Sequence, residues 1–85
     1  MKIDDYRHKV RELIERETAG RCKLLNERDG PKDTQIASDE TWAIPGGTMI
    51  VRYYKDGNGC AHYPEGGRGW EDMASDIQAM ERRNG

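Results

Sequence analysis

An α+β fold is predicted by three observations. Apolar residues recur at helical spacing near both ends, short alternating runs divided by turn sequences fill the middle, and 85 residues leave room for one thin core. The expected architecture is an N-terminal helix, a three- or four-stranded antiparallel meander and a C-terminal helix, with both helices packed on one sheet face. Residues 1–85 read as one small domain. Charged residues make up 35% of the chain, and the mean hydropathy is −1.06, so the fold must gather its few apolar side chains onto shared faces.

The first helix is expected over residues 4–19, where Ile3, Tyr6, Val10, Leu13 and Ile14 recur at steps of three and four. On its wet face Asp5 precedes Lys9, and Glu12 precedes Arg16, in the favourable acid-first order. Gly20 is a natural stop, since glycine enters the left-handed C-terminal conformation without penalty. Leu24 and Leu25 stay in phase with the helix, but running on to Arg28 would place Gly20 inside it at a cost of about 1 kcal/mol. A break is therefore preferred, with residues 21–26 as a strand. Residues 27–40 are polar and turn-rich, anchored only by Ile36 and Ala37, and read as a mobile loop.

From Thr41 onward three strand-like runs, 41–44, 48–54 and 60–63, are divided by Pro45-Gly46-Gly47 and Asp56-Gly57-Asn58-Gly59. With Pro45-Gly46 as a two-residue turn, Trp42 faces Met49. A second turn of even length puts Trp42, Ile44, Met49, Val51, Tyr53, Cys60 and His62 on one face. Thr41, Ala43, Thr48, Ile50, Arg52, Tyr54, Ala61 and Tyr63 then share the other. The bulkier first set should be the helix-covered side. Beyond the loop 64–69, the stripe Trp70, Met73, Ala74, Ile77 and Met80 predicts the last helix. Glu71 and Asp72 fall in its first turn, with Arg82 and Arg83 in its last.

Charge excludes some classes of function. Residues 1–33 hold nine Lys/Arg and eight Asp/Glu, and residues 34–85 hold five and eight, so the halves carry +1 and −3. Neither is the basic footprint that phosphate binding calls for. Apolar runs of two to four residues fall far short of the roughly 20 that span a bilayer. The acidic start, Met1-Lys2-Ile3-Asp4-Asp5, lacks a signal-peptide core, so a cytoplasmic location is expected. Cys22 and Cys60 are then expected as reduced thiols acting as small core hydrophobes.

Chemistry-bearing motifs are sparse. Cys60 and His62 at i,i+2 share a strand face and, with His8 and Cys22, form a zinc-like inventory, but paired C-x-x-C spacing is missing and no metal or other cofactor is expected. Ser38 and Ser75 lack a nucleophile-elbow context, and His62 beside Asp56 or Glu65 is a combination common by chance, so no enzyme is expected. Gly66-Gly67-Arg68-Gly69 ahead of a helix resembles an anion site, yet the acids that follow already satisfy the helix dipole. What folding leaves unexplained is the second sheet face. Arg52, Tyr54 and Tyr63, with Lys55 at the turn and Arg68 in the following loop, are the candidate partner-binding residues, rich in the side chains that dominate interface hot spots.

The order helix, three strands, helix resembles the double-stranded RNA-binding domain over most of the chain. The resemblance is topological: Gly69-Trp70-Glu71-Asp72-Met73-Ala74 stands where that family carries lysines, so no residue role is carried over. In size and in lacking a site, the chain also looks like the accessory proteins of phages and mobile elements, including anti-CRISPR inhibitors. The expected function is that of a small non-catalytic protein-binding protein, an inhibitor or adaptor that occludes a surface of a larger partner. Homodimerisation through the sheet face or edge is a further expectation. The alternative is a nucleic-acid-binding module for RNA or single strands using the same Arg/Tyr face.

Overall fold

A computed structural model describes residues 3–66 and 69–84. Helix α1 (Ile3–Glu17) is followed by strands β1 (Lys23–Asp29), β2 (Ile36–Ile44), β3 (Gly47–Tyr54) and β4 (Gly59–His62), a short 3-10 turn (Pro64–Gly66), β5 (Glu71–Asp72) and helix α2 (Ala74–Asn84). The strands form one antiparallel five-stranded meander, in the order β1-β2-β3-β4-β5. Both helices contribute to one core on one side of it, so the fold is α+β with one strand more than the upper expectation. Among the described residues no helix is long and apolar enough to cross a membrane.

Helix α1 buries Tyr6, Val10, Leu13 and Ile14, the stripe its spacing predicts. The chain leaves it through Ala19 and Gly20, both at positive φ, and the Gly20 amide donates to the Glu15 carbonyl at 2.7 Å. This is the left-handed exit for which glycine is suited. Glu12 and Arg16 pair at 3.6 Å, while Lys9 reaches across to Glu81 on α2. The core is completed by Trp42, Met49, Val51, Tyr53 and Ala61 from the sheet, by Met73 just ahead of α2, and by Ile77 and Met80 within it.

Three expectations are corrected. Most of the stretch 27–40 is strand: β1 runs to Asp29, β2 begins at Ile36, and the connection shrinks to residues 30–35. Its hydropathy misleads because the inward residues of β2 include Ser38 and Glu40, both buried: Ser38 is hydrogen-bonded to α1, and Glu40 to α1, to Tyr53 of β3 and to Trp42 of its own strand.

The second correction concerns β4. The first hairpin has the expected two-residue turn, with Ile44 opposite Gly47 and Trp42 opposite Met49. The second pairs Tyr53 with Gly59 and Arg52 with Cys60, and the Tyr54 amide donates to the Asn58 carbonyl, which leaves an odd loop of Lys55, Asp56 and Gly57. Gly57, at φ +94°, supplies the left-handed residue that such a loop needs. An odd loop reverses which residues of the next strand face inward. Cys60 and His62 therefore lie with Arg52 and Ile50, whereas Ala61 is in the core and Tyr63 packs against it.

The third correction concerns residues 70–73. Glu71 and Asp72 are not the first turn of α2 but the short strand β5, paired with Ala61 and Cys60. The Asp72 carboxylate accepts from the Ala74 amide at 2.7 Å, and the helix starts there. Trp70 is released from the predicted core stripe and is 42% exposed.

Candidate functional site

Among the described residues the helices pack on the inner side of the sheet, and a cluster lies at the centre of its outer face. Asp39 on β2 stands opposite Arg52 on β3 and opposite Arg28 on β1. Arg52 donates to it through a fork, Nε to Oδ1 at 2.9 Å and a terminal nitrogen to Oδ2 at 3.1 Å, with both side chains about a quarter exposed. Such a bidentate pair fixes the guanidinium plane. The hydrogen bond to Asp39 raises the Arg52 pKa further, so its charge is permanent. The held guanidinium lies 4.4 Å from the centre of the Trp70 ring, in cation–π contact.

His62 also meets Trp70, with ring centres 5.1 Å apart and planes tilted by 33°. Its Nδ1 is buried and has no hydrogen-bond partner among the described residues. Beside the stack, the Cys60 thiol donates to the Tyr54 hydroxyl at 3.5 Å, a contact that raises the Tyr54 pKa. Ile50, half-buried and opposite His62, adds apolar surface. The result is a preformed aromatic and guanidinium surface whose central positive charge is matched by Asp39.

Of the expected partner-binding residues, Arg52 and Tyr54 share this face. Lys55 lies exposed at the turn and donates to the Lys32 carbonyl at 3.1 Å. Tyr63 belongs to the other side of the sheet, for the reason given by the odd loop, and Arg68 lies outside the described residues. Sequence reading missed Trp70, His62, Cys60 and Asp39. The signal for two of them was the Gly57 turn; for Trp70 it was the acid two residues before Ala74, able to start a helix later than the apolar spacing suggested.

The expected thiols are both free, with Cys60 buried and Cys22 half-buried. Among the described residues no three His, Cys, Asp or Glu side chains converge as metal ligands. Asp56 is engaged by Asn58, and Glu65 accepts from the Thr48 amide and hydroxyl at 3.1 and 3.0 Å, which lowers its pKa. A cleft of about 390 Å³ lies on the helix side, bordered by Tyr63 and by Glu17, Glu71, Asp72 and Asp76; His62 is not part of its lining. Compared with known protein families, curated protein sequences and solved structures, the chain matches none of them significantly.

Proposed function

We propose that this chain is a non-catalytic protein-binding protein that docks a larger partner through the outer sheet face and acts by occluding the surface it covers. The observation that carries the reading is the half-exposed Trp70 stacked on an Arg52 that Asp39 already holds in place. Trp, Arg and Tyr are the side chains that dominate interface hot spots, and a pre-ordered anchor loses less conformational entropy on binding than a free one. The Asp39 fork also distinguishes between partners. Arg52 is neutralised within the chain, which suits a mixed protein surface better than a run of phosphates. An inhibitor or adaptor of this size is the role found among phage and mobile-element accessory proteins, anti-CRISPR inhibitors included.

The stack of Trp70 and His62 beside Tyr54 also supports a second reading, in which unpaired bases stack on the same face. Salt separates the two. A phosphate binder loses affinity steeply as salt rises, so a blank gel shift with single-stranded RNA or DNA at about 50 mM salt removes the nucleic-acid reading.

The protein-binding reading is tested by comparing extracts of the native host passed over the wild-type chain and over Arg52→Ala/Trp70→Ala. A specific protein retained by the first and lost from the second, with the circular dichroism of the variant unchanged, is the expected result. Equal retention by both moves the interface away from this face. Sedimentation of the same two chains tests pairing through the face, which predicts a dimer that the double variant dissociates.

A further inference from the structure

The helix-side cleft is a second surface, separate from the Trp70 face. Its floor is apolar, made by Leu13 and Ile14 of α1, Met49 of β3, Ala61 of β4 and Met73 ahead of α2. At about 390 Å³ it falls within the size range of ligand-binding clefts, roughly 300–1,000 Å³. The rim is acidic: Glu17, Glu71, Asp72 and Asp76 come from three different elements, against Arg21 as the one cation among the described residues of the lining.

Folding accounts for only part of that charge. Asp72 caps the start of α2 and Asp76 lies in its first turn, where the helix dipole favours acids. Glu17 is the opposite case. It is the last residue of α1, where the dipole is negative and a carboxylate is disfavoured, yet it is exposed on the cleft rim. Its charge therefore sits at the cleft mouth although the helix end does not favour it there. Acids lining a cleft with low-dielectric walls also focus their field into it, and the carbonyl end of α1 adds to the same sign.

We propose that this cleft seats a basic, apolar-flanked segment of a partner protein, with the stem of an arginine or lysine on the apolar floor and its charge among the rim carboxylates. Long basic side chains combine the two surfaces the cleft offers, an apolar stem and a cationic head. That the occupant is a protein segment rests on the protein-binding reading above; the preference for a cation with an apolar body follows from the cleft itself.

The test is a calorimetric titration of the full chain with the hexapeptide amide Leu-Arg-Phe-Leu-Arg-Gly, its counterpart with glutamine for both arginines, and spermine. The arginine peptide is expected to bind, with the glutamine peptide weaker by about fivefold or more and the Glu17→Gln/Asp76→Asn chain weaker by a similar factor. Both substituted positions are exposed, and a thermal melt checks that the fold is kept. In a parallel NMR titration the methyl signals of Leu13, Ile14 and Met49 are expected to shift. The proposal is overturned if the arginine peptide does not bind, if the double variant binds it equally, if spermine binds as tightly, or if the shifts fall outside the cleft. Trp70→Ala separates the two surfaces: it should abolish partner capture and leave peptide affinity within a factor of about two. Unchanged capture counts against the outer face alone, and unchanged peptide binding in Glu17→Gln/Asp76→Asn against the cleft alone.

Discussion

Adjacent residues of β2 build two polar clusters on opposite sides of one sheet. Inward, Glu40 is 2% exposed and accepts from Arg11 at 2.9 Å, from the Tyr53 hydroxyl at 2.8 Å and from the Trp42 indole at 3.3 Å. Outward, Asp39 holds Arg52, and Arg52 carries Trp70. Each cluster has a carboxylate, an arginine and a tryptophan. The difference is water. A buried carboxylate must be fully bonded or the fold pays the desolvation, so the inner cluster governs stability. The outer one keeps its aromatic ring in solvent, where its contacts add little to the fold and are free to meet a partner.

The sharpest way to break this contrast is Glu40→Ala. It strands the Tyr53 hydroxyl and the Trp42 indole N–H, and urea unfolding should show a loss of about 3 kcal/mol. That is a large share of the roughly 4–13 kcal/mol expected for a domain of this size. A loss below about 1 kcal/mol would mean that water reaches the inner cluster after all.

Tyr53→Phe, which removes one bond to the same carboxylate, should cost about 2 kcal/mol. It also tests pH. Burial first, then the Glu40 charge, pushes the Tyr53 pKa well above the ordinary phenol value, and burial followed by Asp72 raises that of Tyr6. A raised phenol keeps its proton in the folded state after the unfolded chain has lost its own. The stabilisation is therefore complete below about pH 10 and falls as pH rises beyond it, by up to about 1.4 kcal/mol per pH unit for each group. Urea midpoints measured from pH 8 to 11.5 should decline above 10, and less steeply in Tyr53→Phe.

On the outer face the expected stability effects shrink. Trp70→Ala removes a half-exposed cation–π contact and should change the unfolding free energy by less than about 1 kcal/mol, while eliminating partner capture. Glu65→Gln is smaller still. This fully exposed carboxylate clamps Thr48, and its removal should appear as faster hydrogen exchange at the Thr48 amide. Because its pKa is lowered in the fold, the clamp is present above the ordinary glutamate range and lost as pH falls through its own pKa.

Legibility in the sequence follows the same division. Helix α1 and the β2–β3 hairpin were readable because their inward residues are apolar and their turn is Pro45-Gly46. The first half of β2 was not, since Ser38 and Glu40 look like loop residues until Arg7 and Arg11 of α1 are brought over them. At the site, Arg52 and Tyr54 were found by alternation alone. Tyr63 was misplaced, and His62 and Cys60 missed, through one residue of loop parity at Gly57. The Trp70 spacing matched a helical stripe equally well, and only the strand pairing of Glu71 and Asp72 decides against it.

The chain holds two tryptophans, and the sheet keeps one on each side, Trp42 at 7% exposure and Trp70 at 42%. That separation makes the molecule its own pair of optical reporters. A collisional quencher in solution reaches the emission of Trp70 and spares that of Trp42, whereas unfolding opens both. Occupation of the outer face should shield Trp70 and leave Trp42 unchanged, so docking and denaturation can be told apart in an unlabelled, unmodified chain.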